Sequence, residues 1–302
     1  MPASPFIKSP LNYTGGKYRI LPDILPLFPA HPHRFADLFA GGFNVGINAQ
    51  ADRLYCNDQI GFLIEMFQFF RETPADLLTT RIRKRIVQFR LSAQNTDGYN
   101  ALRAAYNRCP NPLDLFVLAC YSFNHQIRFN SRHQFNTPFG RNRSVYNASI
   151  ERNLCRFCAA LQSKDIVFSS LDFSEFDFSE FGTGDFVYCD PPYLISIGSY
   201  NDGSRGFKDW TSREELQLLD LLDTLNRRGI AFALSNVLRH KGETNSMLLE
   251  WSERYWVSGI GRSYANCSYH FKNRTAETVE VLITNYPPSR PDSAEREGFQ
   301  TA

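Results

Sequence analysis

The sequence predicts an α/β fold in which a mostly parallel sheet is interrupted by an inserted, mostly helical segment. Three observations predict it. Six short apolar runs have the length of buried strands. Helical patterns follow several of them, and strands alternating with helices build parallel sheets covered on both faces. Between the second and third runs lies a long stretch of different character, with helical patches and then a polar segment full of Asn, Arg and Phe. The chain has 302 residues and 43% hydrophobic content. That suffices for one large core, or for a main domain carrying a smaller insertion.

The first strand is Arg34–Phe39 (RFADLF), which runs into Ala40, Gly41 and Gly42. Small residues at a strand end let backbone approach a ligand closely, and ligands in such sheets gather at the carboxyl ends of strands. A plain tight turn would use the same residues. The second strand is Arg53–Asn57 (RLYCN), followed by Asp58 and a helical run, Ile60–Phe70. An acid there can accept hydrogen bonds from ribose hydroxyls, or it can cap the helix. Ile166–Ser169 (IVFS) is the third strand, and Asp185–Cys189 (DFVYC) the fourth.

A helix then separates the fourth and fifth strands. Ser212 and Glu215 have capping-box spacing, Leu216, Leu219, Leu222 and Leu225 form an apolar face, and Gly229 follows the basic pair Arg227–Arg228 as a stop. Ile230–Ser235 and Val279–Thr284 complete the sheet. The division this predicts is 1–76 and 164–286 for the two parts of the sheet domain, 77–163 for the insertion and 287–302 for a disordered tail.

The net charge of +2 is unevenly spread. Between Leu77 and Ile150 there are eleven Lys and Arg against two acids, a net of +9, so the remainder carries −7. A basic block in an otherwise acidic chain suits a polyanion, although a solvated helix surface has the same composition. Of seven cysteines, Cys155 and Cys158 form the one CxxC, without a second pair or a His cluster. Reduced thiols are expected there, and no metal. No apolar run reaches the roughly 18 residues of a membrane span. The N-terminal MPASPFIKSPLNY lacks the charged and apolar stretches of a signal peptide, so a cytoplasmic protein is expected.

The most specific signal is Asp190-Pro191-Pro192-Tyr193, directly after an apolar strand. Two prolines stiffen the chain and remove two donors. A carboxylate, carbonyls and an aromatic ring are thereby fixed around a small space that suits a planar group bearing an amine. Near the N-terminus, Asn12-Tyr13-Thr14-Gly15-Gly16-Lys17 has the wrong spacing for a phosphate loop. Its ring and lysine, separated by a glycine turn, can clamp a small ligand.

Taken in order, these motifs resemble the Dam-type (alpha-group) family of adenine-specific DNA methyltransferases. That family has an aromatic-x-Gly-Gly-Lys motif, a Phe-x-Gly-Gly loop, a target-recognition insertion and Asp-Pro-Pro-Tyr. Arg128-Phe129-Asn130 and Phe135-Asn136-Thr137-Pro138-Phe139-Gly140 resemble its DNA-contacting hairpin, and Glu280–Asn285 resembles its last strand. The resemblance runs from about Lys8 to Asn285. It implies a Rossmann-like sheet dependent on S-adenosylmethionine, with 77–163 as the DNA-binding insertion.

By position, the resemblance implies that Tyr13, Lys17, Asp58 and Asp190 contact the cofactor. Asp37 and the Ala40–Gly42 turn, Gly41 included, cradle its methionine part, and Asp172 holds its adenine. Asp190, Pro191, Pro192 and Tyr193 carry catalysis on a base flipped out of duplex DNA, with 196–210 as a closing loop. Arg128, Asn130, Arg132, Asn136 and Arg141 are the expected DNA contacts. Tyr13 departs from the tryptophan of many members, and Phe43 from a small residue. A restriction endonuclease is a possible genetic partner. A cytosine-N4 methyltransferase and a catalytically silent DNA-binding regulator are the alternatives; Asp190 and the intact turn with Lys17 favour adenine methylation.

Overall fold

The computed structural model describes residues 5–13, 15–195, 210–260 and 278–287. Thr14, most of the expected closing loop (196–209) and most of the expected tail (288–302) lie outside the described residues. The strands are β1 (Arg34–Asp37), β2 (Arg53–Asn57), β3 (Ile166–Ser169), β4 (Phe186–Cys189), β5 (Ala231–His240), β6 (Glu243–Thr244), β7 (Trp256–Gly259) and β8 (Thr278–Thr284). The helices are α1 (Leu21–Ile24), α2 (Gly61–Glu72), α3 (Ala75–Gln88), α4 (Thr96–Arg108), α5 (Pro112–Tyr121), α6 (Ala148–Ser163), α7 (Ser212–Arg227) and α8 (Ser246–Ser252). The six expected strands are all present. β6, β7 and α8 were not anticipated, because each is short and carries little periodic apolar signal.

The sheet runs β3-β2-β1-β4-β5-β8-β7, with β6 paired to β5. Pairings from β3 through β5 are parallel, while β8 is antiparallel to both β5 and β7. The chain moves outward from β1 to β2 and β3, then returns to place β4 on β1's other side. Such a reversal opens a crevice at the carboxyl ends of the two central strands.

Between β2 and β3 lie α2 and then a helical segment of α3 to α6. Its ends are capped by side chains: Asn95 accepts from Gly98 N, Asn111 from Asp114 N, and Asn147 from Ser149 N and Ile150 N. One apolar cluster joins Leu78, Tyr99, Phe116 and Phe157 of these helices to Phe35, Leu54 and Phe186 of the sheet. The segment is therefore cemented to the sheet rather than standing apart from it. The second cluster covers the other sheet face, where α7 packs through Leu218, Leu219, Leu222 and Leu225.

Two details of α7 correct the sequence reading. Its N-cap is Thr211, in a capping box with Glu214, one residue earlier than Ser212 and Glu215. Glu215 is fully buried and accepts instead from Trp210 Nε1, Asn236 Nδ2 and Asn245 Nδ2. Leu216 is 48% exposed. Residues spaced by three drift roughly 60° per step around a helix, so four of them cannot share one face. Leu218 takes the buried place.

No helix among the described residues is long and apolar enough to cross a membrane.

Candidate active site

The carboxyl ends of β1, β2 and β4 converge because Asp37 pairs with both Cys56 and Tyr188. After β1 the chain turns at once: Ala40 N donates to Asn57 O at 2.9 Å, and Gly41 takes φ +49. A Cβ on Gly41 would lie 2.9 Å from the Tyr13 ring. The glycine turn and the N-terminal motif, far apart in the chain's local order, therefore pack face to face, which only a residue without a side chain permits. Asn44 and Asn48 hold the N-terminal segment in place by accepting from Ser9 N and Ile7 N.

Asp58 does structural work here with both oxygens. Oδ2 accepts from Gly41 N at 2.7 Å, and Oδ1 from Ile60 N at 2.9 Å. The acid thus joins the glycine turn to the start of α2. Asn57 beside it, which the sequence reading passed over, donates to Leu38 O and Leu171 O. It ties together the ends of β1, β2 and the turn after β3. Phe43 is left-handed at φ +56 and fully buried, with its ring where a Gly46 side chain would stand. The phenylalanine that departs from the family pattern fills the space beneath the turn.

At the end of β4 lies a four-residue cluster. Lys17 Nζ is 2.9 Å from Asp190 Oδ1, 3.4 Å from Glu280 Oε1, and donates to Tyr193 Oη at 2.6 Å. The single Tyr193 hydroxyl proton lies within reach of Asp190 Oδ1 (2.8 Å) and Glu280 Oε1 (3.2 Å). Lys17 is only 7% exposed, so it is a buried cation between two carboxylates. Glu280 is a member the sequence reading did not single out. Its signal was available: an acid in the otherwise apolar strand core VEVLIT.

Asp37, Asp58 and Asp190 share one electrostatic character. Burial pushes Asp37 up to about 8, against one backbone hydrogen bond from Gly46 N. Burial likewise pushes Asp58 up to about 6 and raises Asp190, whose rise Lys17 opposes. Asp37 Oδ1 is buried with no hydrogen-bond partner. Buried acids of this kind lining one cavity favour a cationic guest, which would relieve their desolvation.

Tyr13, Lys17, Asp37, Ala40, Gly41, Asp58, Asp190, Pro191, Pro192 and Tyr193 all line this cavity. Asp172 does not. It lines a small adjoining hollow with Phe173 and Trp210, and Phe39 and Gln59 are common to both spaces. There Asp172 Oδ1 accepts from Ser174 N and Ser174 Oγ. Of the expected DNA contacts, Arg128 reaches the cavity wall. In its hairpin Phe129 and Phe135 point into the core, while Arg128, Arg132 and Asn136 are exposed, as is Arg141 beyond it. Asn130 is partly committed to shape: its Oδ1 accepts from Arg132 N and Gln134 N, forming the turn.

A glycine-lined crevice at the switch point, with an Asp-Pro-Pro-Tyr turn on its rim, places the chain among the α/β proteins with a mostly parallel sheet and is consistent with a methyltransferase fold. A family model for the D12 class N6 adenine-specific DNA methyltransferases matches residues 13–261, and the chain belongs to that family. It is 48% identical over 281 residues to the type II methyltransferase M.FokI of Planomicrobium okeanokoites. It is also 48% identical over 283 residues to the modification methylase StsI of Streptococcus sanguinis, and 36% identical over 283 residues to the modification methylase LlaI of Lactococcus lactis subsp. lactis. These matches cover 93%, 93% and 92% of this chain, but 43% of each relative. The chain thus spans less than half the length of these three proteins.

Proposed function

We propose that this chain transfers a methyl group from S-adenosylmethionine to the exocyclic N-6 amine of an adenine flipped out of duplex DNA, at a specific short site. The observation that carries the reading is the Lys17 ammonium seated 2.9 Å from Asp190 Oδ1, beside the glycine turn. A nitrogen donor already occupies the position that a target amine would take.

The residues suit the proposed cofactor. Its sulfonium and ammonium are cations, matching the raised carboxylates and the unpartnered Asp37 Oδ1. The bare Gly41–Gly42 backbone under Tyr13 is a cradle for its methionine part. The hollow of Asp172, Phe173 and Trp210 offers aromatic walls for its adenine. When bound, the cofactor supplies an electrophilic methyl group.

The protein's task is then positioning and charge placement. Asp190 and the Pro191 carbonyl accept the two amine hydrogens, which localises the nitrogen lone pair toward the methyl. The rigid proline pair holds both acceptors, and the Tyr193 ring stacks on the base. The exposed arginines of 77–163 bind phosphate, with the hairpin of Arg128, Asn130, Arg132 and Asn136 toward the grooves, and Arg141 beside it. Extrusion of the base costs a few kcal/mol, which these contacts offset. The kinship to modification methylases supports a role in shielding DNA from a cognate endonuclease, in the cytoplasm.

Asp190→Ala tests the reading. Methyl transfer from tritiated donor to plasmid should vanish while the variant still folds and unfolds cooperatively. Near-normal turnover would refute it. Nucleoside analysis of the product separates N6-methyladenine from N4-methylcytosine.

A further inference from the structure

Glu280 is an acid in a strand that otherwise feeds the apolar core. Val279, Val281 and Ile283 of β8 enter one cluster, and Leu282 the other. Side chains alternate along a strand, so Glu280 shares the face of Leu282. Opposite it, the β5–β8 pairing steps from Val237↔Glu280 to Arg239↔Val279, leaving Leu238 as an extra residue. A bulge of this kind re-aims neighbouring side chains. Glu280 Oε1 arrives 3.2 Å from Tyr193 Oη and 3.4 Å from Lys17 Nζ. Asp190 Oδ1 lies 2.8 and 2.9 Å from the same two atoms. Two carboxylates, one on β8 and one after β4, thus share one ammonium and one phenol.

This sharing bears on how Asp190 is released for substrate. Lys17 and Tyr193 together fill the two lone pairs of Asp190 Oδ1, so an amine that takes this oxygen competes with both of them. A buried cation that loses a counter-charge is costly unless another carboxylate takes its place. We propose that Glu280 is a positioning residue that receives the Lys17 ammonium and the Tyr193 hydroxyl when Asp190 turns to the target amine. The inference rests on the reading that Asp190 grips that amine. The transfer needs no backbone movement, because Glu280 Oε1 is already at the edge of contact with both groups. Glu280 makes and breaks no covalent bond.

A double-mutant cycle on the full chain tests this, with Glu280→Gln, Lys17→Met and the two combined. The readouts are single-turnover methyl transfer to plasmid, S-adenosylmethionine binding by calorimetry, and melting temperature. Glu280→Gln should slow transfer about tenfold or more, with donor affinity within about twofold and melting unchanged. Glu280→Asp should recover part of the rate. In the Lys17→Met background, adding Glu280→Gln should change the rate less than about threefold, since the charged group to be received is gone and only the neutral Tyr193 hydroxyl, from which the introduced amide oxygen can still accept, remains. Independent, multiplying losses would overturn the inference, as would a Glu280→Gln enzyme of normal rate. A joint fall in melting temperature and donor affinity would assign Glu280 to the framework and also overturn it. Activity in Asp190→Ala is a different outcome: it removes the amine reading itself, whatever the cycle shows.

Discussion

Asp37 offers the most quantitative test of the cavity's electrostatics. Its carboxyl is 1% exposed, takes one hydrogen bond from Gly46 N, and leaves Oδ1 unpartnered. Burial lifts it to about 8 from 3.8. The sign follows from linkage. Between these values the folded chain keeps a proton that the unfolded chain has released. The stability associated with this group is therefore full below about pH 4 and is lost as pH rises through 8. Within the window the slope is about −1.4 kcal/mol per pH unit, on the order of 5 kcal/mol in all as an upper bound. Asp37→Asn keeps an oxygen for Gly46 N and removes the titration. Urea unfolding at pH 5, 6, 7 and 8 should show the donor-free parent losing stability across the series and the variant losing much less. The same proton should leave when a cationic donor binds near neutral pH. Calorimetry in buffers of different ionisation enthalpy would register it in the parent and not in the variant. Equal pH slopes for both proteins would refute the assignment of a neutral Asp37.

Three further outcomes are expected. Gly41→Ala must hold φ +49 with its Cβ against the Tyr13 ring, so it should lose about 1–2 kcal/mol in denaturant unfolding and weaken donor binding in calorimetry. Glu215→Ala strips the acceptor from Trp210, Asn236 and Asn245 in a fully buried place, and should lower stability by about 2–4 kcal/mol in urea unfolding. Arg128→Ala should weaken DNA binding in fluorescence anisotropy and, if the side chain meets phosphate, reduce the salt slope by about 1. Calorimetry should show donor binding by that variant unchanged, and equal loss of both would count against the insertion's role.

Much of the site was legible because its chemistry is local in sequence. A glycine pair after an apolar strand and Asp-Pro-Pro-Tyr after another each specify their own backbone shape. Both stand where expected, on neighbouring parallel strands. The surroundings of Asp172 were not legible in the same way. This residue follows a strand as expected, but β3 is the outermost strand on that side, which puts the residue in the adjoining hollow. The capping box of α7 was misread by one residue, since local spacing cannot tell that Glu215 is claimed by Trp210 and two distant asparagines.

By itself the sequence determined the parts that depend on short-range stereochemistry and composition: the six strands, the two turns, the basic charge of the stretch 77–150 and the family they resemble. Tertiary structure alone decided which charges meet. Residues 17, 190 and 280 share contacts at 2.9 and 3.4 Å because the sheet order brings the end of β4, the middle of β8 and the N-terminal segment together, although the three lie far apart in the chain. The physical reason is that Coulomb and hydrogen-bond energies depend on separation in space and on burial, and neither is encoded in distance along the chain.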